Sequence, residues 1–160
     1  MVQRTATVEN TLIACLAAWA GSARAVSGSL TGYTAALLLL THWPRVPELN
    51  LGGSVLPLPL DKIIHGGLYA LLGFLANFAN RAGVFRLRLS APALLAATGL
   101  FAALDEATQS LTGRSPDGWD WVANLVGAAC GIGLARITEA FIMPRAGRSQ
   151  EAPEPCDPIR

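Results

Sequence analysis

The sequence predicts an all-α protein: an integral membrane bundle of four transmembrane helices, preceded by a short amphipathic or interfacial helix. Three observations lead there. Only 14% of the 160 residues are charged, whereas 52% are hydrophobic and the mean hydropathy is +0.41. A soluble domain averages about 25% charged residues. Four apolar segments each have the length that crosses a bilayer, about 20 residues. In water, four helices with so little charge on any face would need deep burial, and a chain of this size cannot bury them all round. A net charge of +1 argues against a nucleic-acid partner, and the apolar content argues against disorder.

Residues 1–24 read as an N-terminal segment, weakly ordered or forming an interfacial helix. Its apolar patch, Thr11 to Gly21, is too short to span. Two other readings stand beside this one. The patch extends the first span, which would place Arg24 near mid-membrane, or it is a signal peptide, since Ala18-Trp19-Ala20 has the small-residue cleavage pattern. Leu12-Ile13-Ala14-Cys15 resembles a lipoprotein box, but the polar stretch before it lacks the apolar region such a box follows.

Residues 25–143 form the membrane domain. The first span starts near Val26 and ends at Trp43, with Tyr33 to Leu40 at its heart. The second runs from about Ile63 to Ala79, the third from Ala91 to Ala107, and the fourth from Trp121 to Ile142. The connectors are short: a proline- and glycine-rich loop from Pro44 to Leu60, a basic link from Asn80 to Ser90, and a polar turn from Ser110 to Asp120. Residues 144–160, with four prolines, read as a disordered polar tail. Cys15, Cys130 and Cys156 are too scattered for a disulfide framework or a zinc site, and Cys130 reads as packing.

Lys and Arg near span ends favour the cytoplasmic side. With four spans, both termini and the middle connector share a side. That side holds Arg4, Arg24, Arg81, Arg86, Arg88, Arg136, Arg145 and Arg148; the other holds Arg45, Lys62 and Arg114. Both termini are therefore expected in the cytoplasm, which also opposes signal cleavage.

The chemistry-bearing residues fall at the opposite, outer face: Asp61, Lys62, His65, Tyr69, Asp105, Glu106, Gln109, Arg114, Asp117, Asp120 and Asn124, with His42 nearby. Asp61, His65 and Tyr69 are spaced by four, as are Asp120 and Asn124, so each set shares a helix face. Plainer roles are available to several of them. Asp61 and Asp120 serve as first-turn acids, Lys62 snorkels, His65 sits at the interface, and Asp105 and Glu106 meet water. Yet two adjacent carboxylates at the end of a span are costly unless paired, solvated or protonated, and Lys62 and Arg114 are the obvious partners. Gly127-x-x-x-Gly131 marks a helix-packing face. No metal and no cofactor is called for, and no nucleophile motif, H-E-x-x-H or P-loop is present.

Two blocks together resemble the VanZ-like family: Asp61-Lys62-x-x-His65 followed by Tyr69 and Gly73, and Asp105-Glu106-x-x-Gln109, Gly113-Arg114, Asp117, Asp120, Asn124-x-x-Gly127. The resemblance covers about Leu37 to Gly133; Trp119 departs from it, bulky where a smaller residue is expected. It implies a small multi-pass membrane protein of the bacterial cell envelope. The family's name comes from a member linked to reduced susceptibility to the antibiotic teicoplanin, and no reaction is attached to it.

Three functions compete. In the first, the outer rim binds a lipid-linked or anionic ligand, with Lys62, Arg114 and a helix N-terminus holding the anion and the carboxylates positioning a cation. In the second, an integral membrane enzyme uses His65 with Asp105 and Glu106 for acid–base or metal chemistry. In the third, the rim is an ion-pair clasp and partners supply the function. The bilayer itself is the expected partner, and homo-oligomers are compatible with the glycine face.

Overall fold

The computed structural model describes residues 2–43, 60–113 and 117–148, with side chains described over 11–43, 62–113 and 117–141. Among these residues all regular structure is helical. Five helices follow in order: α1 (Val2–Gly21), α2 (Ala23–Thr41), α3 (Leu60–Arg81), α4 (Ala91–Gln109) and α5 (Gly118–Arg148), with one 3₁₀ turn at Ser110–Thr112.

The helix boundaries have local causes. Ser22 accepts a hydrogen bond from the Ala25 amide and starts α2; Ser90 does the same for the Ala93 amide at the start of α4, where Pro92 lies in the first turn. At the end of α3, Gly83 takes φ +74, a left-handed conformation that costs glycine little. The Val84 amide then reaches back to the Ala79 carbonyl and closes the helix end.

The N-terminal segment is a 20-residue helix, longer than its apolar patch, and the chain turns at Ser22, so α1 is separate from α2 and does not extend it. Its end is tied down: Ala20 is buried with Val26, Phe78, Ala79 and Ala135, Trp19 stacks at a tilt on Phe78, and the Trp19 indole N–H donates to Ser29. At the other terminus α5 runs through Pro144 to Arg148, so its last turn takes up the first residues of the segment read as tail; residues 149–160 lie outside the described set.

The core contact is between α3 and α5, which run parallel. Gly127 faces the Gly66 carbonyl and Gly131 the Ala70 carbonyl, and a Cβ at either glycine would overlap that backbone. Gly73 also sits against the Ala128 backbone, somewhat less tightly. The Gly127–Gly131 face is thus consumed within the chain, and α3 covers the surface that a dimer through this motif would need. Cys130, expected in the packing, is exposed, because it sits on the helix face turned away from α3.

Two helices, Lys62–Arg81 and Gly118–Phe141, are long and apolar enough to cross a membrane. The α2 and α4 segments fall short for identifiable reasons. The first half of α2 carries Arg24, Ser27, Ser29, Thr31 and Tyr33, and the last turns of α4 carry Asp105, Glu106 and Gln109. Large apolar side chains nevertheless line the outside, among them Leu39, Leu40, Ile63, Leu100, Leu104, Val126, Leu134 and Phe141.

Substituting Gly131 with Leu is expected to force α3 off α5 and lower stability by about 3 kcal/mol or more, beyond ordinary overpacking. Gly133→Leu, where a new side chain meets open space, is expected to be near neutral. Thermal unfolding of the two variants side by side checks this.

Candidate functional site at the polar end of the bundle

Because α3 and α5 are parallel while α2 and α4 run the other way, one end of the bundle collects the starts of α3 and α5 and the finishes of α2 and α4. That end holds nearly every candidate named above. Arg114 lies outside the described residues, and Asp61 is placed in the first turn of α3 with its side chain outside them.

Asp105 is 2% exposed, and both of its oxygens are held by donors from other helices. Thr41 at the end of α2 donates to Oδ1 at 2.9 Å, and Tyr69 of α3 donates to Oδ2 at 2.9 Å. One carboxylate thereby joins α2, α3 and α4. The neighbouring His42 bonds the Leu38 carbonyl through Nδ1 (2.9 Å) and Thr108 through Nε2 (3.0 Å). A carbonyl can only accept, so Nδ1 carries a proton. The His42 ring also lies 3.6 Å from Asp105 Oδ1.

Glu106, one residue on, is rotated about 100° around α4 and meets a different neighbour. Its Oε1 accepts the Asp117 backbone N–H at 2.7 Å, which ties α4 to the start of α5. The expectation that Asp105 and Glu106 meet water or pair with Lys62 is corrected here. Both are buried and take neutral donors, while Lys62 reaches across to α5.

Lys62 donates to Asp117 at 2.7 Å and to Asp120 at 2.6 Å. The Lys62 ammonium, together with the Trp119 amide that donates to its other oxygen, holds the Asp117 carboxyl below its ordinary range. Asp120 is 5% exposed in the first turn of α5, so Lys62 neutralises a buried acid at the positive end of a helix. The Lys62 ammonium is thus committed to two acids of the α5 start.

One turn below lie His65 (3% exposed) and Asn124 (fully buried), and Gln109 is buried one turn after Glu106. Among the described residues, Glu106 Oε2, Gln109 Nε2 and both polar atoms of Asn124 have no hydrogen-bond partner. A buried polar group left in this state costs roughly 1–3 kcal/mol. The carboxylates do not converge on a cation: among the described residues no three His, Cys, Asp or Glu side chains gather as a metal site would require. Trp119 is no obstacle to the loop, since its ring is exposed.

Sequence reasoning placed His42 beside the site without giving it a role there and missed Thr41, together with Thr108 and Trp121, whose indole donates to the Gly99 carbonyl. A signal existed for Thr41. Thr41 and His42 end an unbroken leucine run, where polar side chains in an apolar setting need partners.

Tyr69→Phe leaves Asp105 Oδ2 without its donor and should destabilise by about 1–3 kcal/mol. Adding Thr41→Val should cost a different amount than its single-mutant value, because both act on one carboxylate. Chemical denaturation of the two singles and the double measures this. For Lys62 the sign of the pH effect is fixed. Asp117 has a depressed pKa in the fold, so its stabilisation is present above the ordinary Asp value of about 3.9 and is lost as pH falls through the lower folded value. The stability gap between wild type and Lys62→Met should therefore be full at neutral pH and shrink below about pH 4.

The VanZ/LLP1 family profile matches residues 12–139, which begins inside α1, upstream of where the two motif blocks start, and ends within α5. No curated protein and no solved structure matches the chain. With most of its length matched, and with the D-K-x-x-H and D-E-x-x-Q blocks meeting at one end of the bundle, the chain belongs to the VanZ/LLP1 family.

Proposed function

We propose that this VanZ/LLP1 protein is a four-span protein of the bacterial plasma membrane whose polar end, facing outward, binds the hydrogen-bonding head of a lipid-linked envelope ligand. The membrane reading is supported by the two long apolar helices and the apolar outer surface, which in water would be an aggregation liability. Trp43 and Trp119, both exposed at the polar end, suit a membrane–water boundary. The placement of basic residues supports cytoplasmic termini, and homo-oligomers would form through faces other than Gly127–Gly131.

The observation that carries the binding reading is the set of unsatisfied buried groups. Glu106, Gln109 and Asn124 together offer donors and acceptors, a mixed set suited to hydroxyls and amides of a sugar- or peptide-bearing head. Native structures rarely leave such groups unpaired without a functional reason. Lys62 adds no anion affinity, since it is paired twice. Any anionic part of the ligand would have to be met by Arg114. Altered teicoplanin susceptibility is the phenotype expected if the bound head belongs to a cell-wall precursor.

A specific observation also favours the clasp reading: Asp105, Glu106 and Lys62 between them tie α2, α3, α4 and α5 together. The enzyme reading receives less support, because Asp105 is fully engaged by Thr41 and Tyr69 and Glu106 is shared with a backbone amide.

Asn124→Leu separates binding from clasp. Removing an unpaired buried amide should leave stability unchanged or raised, while binding of purified protein to lipid-linked cell-wall precursors should fall about tenfold or more. A loss of stability with unchanged precursor binding would refute the binding reading.

A further inference from the structure

The end of the bundle remote from Lys62 contains a second polar feature that the rim does not involve. A cavity of about 390 Å³ opens between α3, α5 and the α3–α4 connector, walled by Arg81, Arg88 and Arg136 with Asn77, Asn80 and Glu139. Glu139 is already engaged. It accepts from Asn77 at 2.8 Å and lies 3.5 Å from Arg81. Arg88 and Arg136 have no ion pair within 4 Å among the described residues; Arg136 lies in the field of Glu139, whose oxygens are engaged by Asn77 and Arg81, so the cavity keeps both guanidinium groups with donors to offer. Planar, multidentate donors of this kind match phosphate oxygens.

Leu89 forms part of this cavity's wall and is fixed there. The Asn80 amide donates to the Leu89 carbonyl and accepts its N–H, both at 2.8 Å. The other side of Leu89 lines an apolar groove, also about 390 Å³, between α2, α3 and α4. Its walls include Leu30, Leu72, Phe85, Leu94 and Phe101. The two threonines in the groove, Thr34 and Thr98, donate their hydroxyls to their own helix at Leu30 and Leu94, which leaves methyl groups to face the groove. From Leu94 to Phe101 the groove runs about 10 Å along α4.

A cationic polar cavity sharing one clamped wall residue with an apolar groove fits an amphiphile with a phosphate head. We propose that this end binds an anionic phospholipid of the cytoplasmic leaflet, its phosphate against Arg88 and Arg136 and one acyl chain along the groove. The charge complementarity selects an anionic head. The groove selects a lipid over free phosphate. Basic pockets on the cytoplasmic side of membrane helices are suited to such headgroups.

This inference rests on the membrane reading above, and the two fail differently. Recovery of the full-length protein from cells without detergent would refute the membrane reading. The lipid inference is tested on detergent-purified, delipidated full-length protein, by thermal stability and native mass spectrometry with added phosphatidylglycerol, phosphatidylcholine or glycerol 3-phosphate. Phosphatidylglycerol is expected to bind and raise the melting temperature, and the other two are not. Arg88→Gln with Arg136→Gln should weaken phosphatidylglycerol binding by about tenfold or more. Ala97→Trp, which fills the groove from an exposed position, should weaken the lipid without unfolding the protein. Equal binding of phosphatidylglycerol and phosphatidylcholine, or no loss in the double arginine variant, overturns the proposal. Equal stabilisation by glycerol 3-phosphate overturns the lipid part and leaves a free-phosphate site.

Discussion

The arrangement of every other helix follows from the backbone contact between α3 and α5. Two helices can touch main chain to main chain only where one of them lacks a side chain, and Gly127 and Gly131 provide that against Gly66 and Ala70. Close approach fixes the register, and register fixes what faces what at the two ends. At one end it places Lys62 over Asp117 and Asp120; at the other it places Asn77 against Glu139. A slide of one turn along this seam would move each partner by about 5.4 Å and break both sets at once.

The polar end then draws in the outer pair of helices. Burying a carboxylate such as Asp105 is tolerable only when both oxygens find donors, and those donors come from α2 and α3. Position in the bundle, set by the glycine seam, is therefore converted into a hydrogen-bonded connection that joins α2, α3 and α4 beside their shared apolar core. In an apolar setting these bonds have no water to compete with them, so the polar end adds specificity of arrangement where non-directional apolar packing alone would add little.

Much of this was legible in the sequence. The helical class, the order of helices, the glycine seam as a packing face and the gathering of acids, Lys62 and His65 at one end all followed from spacing and composition. Three things were not. Which carboxylate takes which partner depends on rotation about each helix axis, and one residue of offset sent Asp105 to Tyr69 and Glu106 to a backbone amide. The separation of α1 from α2 depended on a serine cap, a one-residue signal inside an apolar stretch. The exposure of Cys130 depended on which face of α5 the glycines turn inward. Periodicity identifies helices and their faces; it does not say which neighbouring helix each face will meet.

The parallel pairing of α3 with α5 also has a consequence for how the chain is made. The partner that α3 needs is synthesised after it, with all of α4 intervening. Until α5 emerges, the glycine-faced side of α3 is bare and Lys62 has neither Asp117 nor Asp120 to meet, whereas Asp105 can already find Tyr69 and Thr41. A chain without α5 therefore carries two cations, Lys62 and Arg81, without their acids, and it is α5, with Asp117 leading into it, that supplies Asp117, Asp120 and Glu139 to them.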